Sequence, residues 1–268
     1  MGTEWELSGD GAVKKILLGA TVYFAATMTA FAADMAVRPY SAAPMAPPVL
    51  FSWTGCYVGV EGGGNWGKSQ QIARSGANPY SSITGNFDLS GGIAGGTVGC
   101  NIQFSNFVLG IENDISWTNK RGSAHDLPPF NILATSSTRE KWIDTLRGRF
   151  GYAIDPYLMV YGTAGVAFAG TDVNVLTSTN VSVTDSKSRV GWTAGVGGEW
   201  AAFAGPWGAL TFKLEYLHAG FDSRNYIDPP IVTGGGTVIT RSVSLSDDMV
   251  RVGMNVKWNW GGAVVAKY

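Results

Sequence analysis

Val250-Arg251-Val252-Gly253-Met254-Asn255-Val256-Lys257-Trp258 carries an apolar side chain at every even position and Arg, Gly, Asn or Lys at every odd one. Successive side chains of an extended chain point to opposite faces, so this stretch makes a ribbon with one face for hydrocarbon and one for water. The same rhythm recurs upstream and predicts strands over 53–65, 91–104, 107–117, 141–153, 157–170, 189–202, 207–218 and 249–260. Ser105-Asn106, Ile154-Asp155-Pro156 and Phe203-Ala204-Gly205-Pro206 read as tight turns, whereas 66–90, 118–140, 171–188 and 219–248 are long and polar. Short and long links alternate, as they do in transmembrane barrels whose short turns face the periplasm and whose long loops face outward. The expected fold is all-β: an eight-stranded antiparallel up-and-down transmembrane β-barrel over residues 51–260. In lipid every backbone N–H and C=O must be paired internally, so the last strand has to close on the first.

Lys14 and Lys15 precede an apolar run, Ile16 to Phe31, that ends in the small-x-small box Ala30-Phe31-Ala32. Residues 1–32 are therefore expected to be a cleaved secretory signal peptide. A retained anchor is the alternative, and the threonines and the cleavage box argue against it. Glu4, Glu6 and Asp10 make an unusually long and partly acidic leader, which leaves initiation at Val13 open as an alternative to Met1. Pro39, Pro44, Pro47 and Pro48 predict an extended periplasmic lead-in over 33–50, and 261–268 a periplasmic tail. Charged residues make up only 15% of the chain, with 37 glycines and 12% aromatics, a profile suited to an alternating barrel. A net charge of −1 without a basic run points away from nucleic acid.

Alternation sends Val58, Val60, Ile111, Phe150, Trp192, Leu214 and Val252, among others, to the lipid face. Trp53, Trp117, Trp142, Trp200, Trp207 and Trp258 fall near strand ends, where interfacial girdles form. A soluble lipocalin-like barrel alternates equally well with its apolar face inward. The leader, the girdles and the charges on the other face choose the membrane. That other face holds Asn101, Gln103, Glu112, Asp114, Lys141, Arg147, Arg149, Arg189, Glu199, Lys213, Glu215, Arg251, Asn255 and Lys257. An Arg or Lys facing lipid at the bilayer midplane costs about 2–4 kcal/mol, so these belong in the lumen. A paired network of Glu112, Asp114, Arg147, Arg149, Glu199, Lys213, Glu215 and Arg251 is expected there. Counting up from the short turns puts Glu112 level with Arg149 and Asp114 level with Arg147. The interior of an eight-stranded barrel is only wide enough for side chains or one small ligand. A filled polar core is preferred over a gated water path or a ligand pocket.

Cys56 and Cys100 are the only cysteines. Both fall low on adjacent antiparallel strands and on the outward face, so a cross-strand disulfide and two free lipid-facing thiols both fit. Asp144 shares parity with Trp142 and Leu146 and points toward lipid, which requires either a wetted outer interface or a bulge. His125 and His218 lack metal-ligand spacing to any other His or Cys, so neither a metal site nor an enzyme is expected. The Asn180-Val181-Ser182 sequon reads as incidental loop composition.

Five ordered segments carry a resemblance. Trp53-Thr54-Gly55-Cys56-Tyr57-Val58-Gly59, Gly95-Gly96-Thr97-Val98-Gly99-Cys100-Asn101, Arg147-Gly148-Arg149-Phe150-Gly151-Tyr152, Lys213-Leu214-Glu215-Tyr216-Leu217 and Arg251 to Trp258 resemble the outer-membrane immunogenic protein family. Its members are small alphaproteobacterial barrels related to opacity-type and OmpA-like porin-family domains. The resemblance implies an abundant, surface-exposed protein of the cell outer membrane with no cofactor. The last strand is also similar to the signal read by the outer-membrane assembly machinery, with Arg251, Gly253, Val256 and Trp258 in its places. It departs from that pattern by continuing past the strand to Tyr268. The expected function is an envelope-structural and surface-interaction barrel of a Gram-negative bacterium, with a narrow porin for small polar solutes as the alternative. Expected partners are outer-membrane lipid and lipopolysaccharide, the assembly machinery, and host or envelope partners met by the long loops.

Overall fold

The staves of the barrel are β1 (Gly55–Ala73), β2 (Ser82–Phe104), β3 (Phe107–Thr118), β4 (Arg121–His125), β5 (Thr135–Asp155), β6 (Leu158–Leu176), β7 (Ser182–Gly205), β8 (Gly208–Asp228) and β9 (Ile239–Trp258). The structure is a computed structural model that describes residues 51–258 apart from 77, 177–181, 206–207 and 229–238. The expected signal peptide (1–32), lead-in (33–50) and tail (261–268), with Trp207 and the start of the sequon, lie outside the described residues. Short β4 continues β3 beyond Asn119-Lys120 and pairs with β5, so the nine strands make eight staves. All pairings are antiparallel, and β1 bonds β2 on one side and β9 on the other. The sheet therefore has no free edge, which is the condition for crossing lipid.

Tight turns mark one end: Ser105 adopts φ 55° between β2 and β3, and Tyr157 N–H bonds Asp155 Oδ1 at 2.9 Å before β6. β1 starts and β9 finishes at that same end. The other end departs from expectation. Stretches predicted as long loops are largely paired strand: Trp66 to Ala73 pairs with β9, Thr135 to Glu140 with β6, and Arg241 to Asp248 with β1 and β8. Staves of 19 to 24 residues, against the 9–11 or so that span a bilayer, carry the barrel well beyond the apolar band. Outside lipid the outward residues turn polar, as at Lys68, Asp88, Arg121 and Arg139, so hydropathy no longer marks the strand.

The apolar outer face is as expected, with Val60 59% exposed, Leu214 59% and Val252 60%. Trp66, Trp117 and Trp192 project outward at the upper edge and Trp200 at the lower. Trp53 does not belong to a girdle. It is fully buried, in edge contact with Phe51 at 4.9 Å, and packs with Val108, Ala153, Met159 and Tyr161 as an apolar floor across the periplasmic mouth. The Trp53 backbone N–H donates to Gln103 Oε1 at 2.7 Å, and Lys257 Nζ ties the same segment through the carbonyls of Ser52 (2.7 Å) and Thr54 (2.6 Å).

Candidate functional site

Alternation along β1, β3, β5, β7, β8 and β9 aims a charged side chain from each into the lumen, where all are buried. Arg147 spans the middle. Its guanidinium donates to Glu112 Oε1 at 2.7 Å, to Asp114, and to Glu215 Oε1 at 2.9 Å. Arg149 bonds Glu112 Oε2 at 3.1 Å, Glu199 Oε2 at 2.7 Å and the Tyr57 hydroxyl at 2.6 Å, and lies 3.8 Å over the Tyr161 ring. Arg251 bonds Glu61, Glu215 Oε2 at 2.5 Å and Asp114 at 3.3 Å. Lys213 Nζ lies 3.1 Å from Glu61, 3.3 Å from Glu112 and 3.5 Å from Asp114. Glu199 also accepts from Thr211 (2.6 Å) and Asn255 (3.1 Å). All eight residues named from the sequence meet in this one network.

Glu61, Tyr57 and Tyr161 complete it and were not singled out. The parity of β1 points to Glu61, but the Gly62-Gly63-Gly64 run beside it thins the alternation to Val58 and Val60. The register also differs from the count. Glu112 faces Arg147 across the ladder and Asp114 faces Thr145, because tilted staves do not start level at the short turns. Long guanidinium arms restore the contacts across that offset. Lys141 is a plain correction: it points outward, half exposed, and pairs with Asp172 at 2.6 Å. A register shift between Glu140 and Trp142 flips the parity and turns Glu140 inward in its place.

That flip builds a second buried cluster nearer the outer end. Lys120 Nζ bonds Asp247 and lies 3.0 Å from Glu140, which also accepts from Asn65 at 3.2 Å. Further out, Arg241 donates to Gln71 at 2.6 Å and Ser136 at 2.7 Å, and Arg189 to Thr171 at 2.9 Å and the Val243 carbonyl at 2.8 Å. Between the central network and these groups lies an apolar layer containing Ile93, Ile143, Ala167, Leu217 and Met249.

On the outer wall Cys56 and Cys100 are directly opposed on β1 and β2 and form a disulfide. Asp144 stays outward, since the bulge lies above it, and accepts from Asn113 Nδ2 at 2.7 Å. His218 Nδ1 lies 2.9 Å from Asp248, which also accepts from the Tyr216 hydroxyl at 2.6 Å, all at the upper girdle beside Trp192. Arg251, Gly253 and Val256 lie in the β9 ladder against β1, and Trp258 faces Cys56.

A closed, edgeless barrel with an apolar outer wall and charges turned to its axis defines an outer-membrane β-barrel protein. A family model described as the outer membrane protein beta-barrel domain matches residues 24–257, and the chain belongs to that family. It is 32% identical to the 31 kDa outer-membrane immunogenic protein of Brucella melitensis biotype 1, over 92% of this chain and 100% of that protein. It is 28% identical to the 25 kDa outer-membrane immunogenic protein of Brucella abortus biovar 1, over 92% and 99%. Among solved structures, the outer membrane protease OmpT from Escherichia coli aligns at a TM-score of 0.48 and 9% identity, over 78% of this chain and 98% of that one.

Proposed function

We propose that this protein is a closed, structural barrel of the outer membrane that meets surface partners through its outer end, with no through-flow of solute. The observation that supports this reading is the filling of the lumen. Along the axis, the apolar floor around Trp53 is followed by the ionic network of Arg147, Arg149, Lys213 and Arg251, and then by the layer around Ile143, Leu217 and Met249. An ion crossing either apolar layer would shed its water with nothing to replace it. The charged level between them has its charges engaged with one another. The names of the Brucella relatives, which describe outer-membrane immunogens, agree with an exposed outer end.

Single-channel recording on the refolded protein in planar bilayers tests this. The expected trace is flat, apart from brief events that also appear with heat-denatured protein. Steady openings that vanish in Ala167→Trp, a bulky side chain added to the apolar layer, would overturn the proposal in favour of a narrow porin.

A further inference from the structure

The outer wall carries a basic cleft where β4, β5 and β6 leave the apolar band. Arg121 and Arg139 are direct cross-strand partners, and both point outward and are exposed. Like charges placed directly opposite each other on a sheet repel; Arg139 has Asp172 opposite it on its other side, whereas Arg121 stands between Arg139 and Ser90 with no carboxylate directly opposite. Among the described residues neither guanidinium takes part in a salt bridge. One row further out, Ser123 and Ser137 are also direct partners on the same face, and the whole lines a cleft of about 480 Å³. The one carboxylate there, Asp172, is already engaged by Lys141 at 2.6 Å and Ser186 at 2.7 Å. Slight burial raises its pKa, but those two hydrogen bonds and the charges of Lys141 and Arg139 outweigh it and hold the carboxyl below its ordinary value. Asp172 is thus ionised at neutral pH, and two guanidiniums against one carboxylate leave the lining of the cleft at about +1.

Height identifies the occupant. Arg121 lies four residues beyond Trp117 and Arg139 three residues before Trp142, and these two tryptophans are partners in the upper girdle. A tilted strand climbs about 2.5 Å per residue, so the guanidinium pair stands roughly 10 Å above the ring level, where headgroups lie. Two guanidiniums flanked by hydroxyls suit a phosphate, which accepts charge-assisted hydrogen bonds from both.

We propose that Arg121 and Arg139, with Ser123 and Ser137, bind the phosphate of an outer-leaflet glycolipid headgroup. The inference rests on the seating of the barrel in the outer membrane and is independent of whether its lumen conducts. Such a lipid would cancel the cross-strand repulsion and fasten the wall to the leaflet.

The test is native mass spectrometry of the detergent-refolded barrel with diphosphoryl lipid A. Heat-modifiable gel mobility first reports whether each protein is a folded barrel, so a failure of the architecture is seen separately from a failure of this site. Wild type is expected to retain one lipid A, and Arg121→Gln/Arg139→Gln to retain about tenfold less or lower still. Lys68→Gln, which removes an exposed cation elsewhere on the wall, should bind as wild type does. Lipid A stripped of its phosphates should not be retained. Should the double variant not fold, Arg139→Gln alone gives the same reading. Equal retention by the variant and wild type, or by dephosphorylated and intact lipid, would overturn the proposal. Retention of inorganic phosphate by wild type with no retention of lipid A would also overturn it, because the site would then hold a free ion.

Discussion

Arg147 holds three carboxylates from three other positions of the wall, those of Glu112, Asp114 and Glu215, with its own side chain fully enclosed. Such a group contributes less by its own attraction than by what its loss would leave behind. Desolvation offsets much of the Coulomb energy of a buried pair, but carboxylates buried in excess over the cations that remain have too little compensation. Arg147→Ala is accordingly expected to cost about 3–5 kcal/mol, read as a lowered urea midpoint of the vesicle-inserted protein. Adding Glu112→Gln to that variant should recover part of the loss, since it removes one of the carboxylates left in excess over the remaining cations, Arg149, Lys213 and Arg251. Lys141→Ala removes an ion pair of which one partner is half exposed, and should cost no more than about 1 kcal/mol. An unchanged midpoint in Arg147→Ala would mean that water reaches the network. Which charges enter the lumen was legible from parity where the alternation is unbroken, as on β3, β8 and β9, but not at Glu61, where the neighbouring glycines thin it. Parity failed at Lys141, and Glu140 falls in a stretch that reads as loop, because one extra residue inverts the faces and a bulge has no signature in the alternation until its far side is known.

At the scale of elements, closure depends on the seam between β1 and β9. There β1 supplies small residues on the inner side, and Gly63 shows why: a Cβ on it would lie 1.9 Å from the Val250 carbonyl oxygen and 2.9 Å from the Arg251 Cα. Backbone cannot yield as a flexible side chain can. Gly63→Ala should therefore open the ladder locally, where Gly63 faces Arg251, and cost about 1–3 kcal/mol or more. The measurement is the heat-modifiable fraction after refolding into vesicles, and a yield equal to wild type would show that the seam is looser than these distances. Gly62→Ala is the matched control, because a Cβ there meets nothing nearer than 3.5 Å. The eight staves were legible because lipid enforces an apolar face along each of them. Their outer halves were not, since beyond the membrane Lys68, Asp88 and Arg139 satisfy water as well on a strand as on a loop. Trp53 was misplaced for a related reason: an aromatic at a strand end suits an interface and a capped mouth equally, and only Phe51 and Val108 decide for the mouth.

Over the described residues, the barrel continues above the apolar band with its filling intact. Ile93, Leu217 and Met249 share the inner apolar layer with Phe87, Leu89, Phe221 and Leu245 farther along the same staves, so one core runs across the level of the interface. Above it Arg241, Gln71 and Ser136 bind across the lumen, and Tyr226 closes on Val173 and Val243. A pair of strands in water without such a core is marginal, whereas a closed ring of staves around one should open only with the barrel itself. Amides of 82–90, 135–140 and 241–248 are accordingly expected to resist hydrogen exchange for hours in vesicle-inserted protein, as the band below the girdle does, while those of Ser75, Gly76 and Asn78 in the turn exchange in seconds to minutes. Leu245→Ser should bring exchange into the outer segments first and leave the membrane band protected, since it removes apolar contact from the extension and touches none of the lumen ion pairs. Rapid exchange of 82–90 and 241–248 in the wild type would return those segments to loops. It would also separate the basic cleft from its support, because Arg121 and Arg139 can share one phosphate only while β4 and β5 stay zipped at that height.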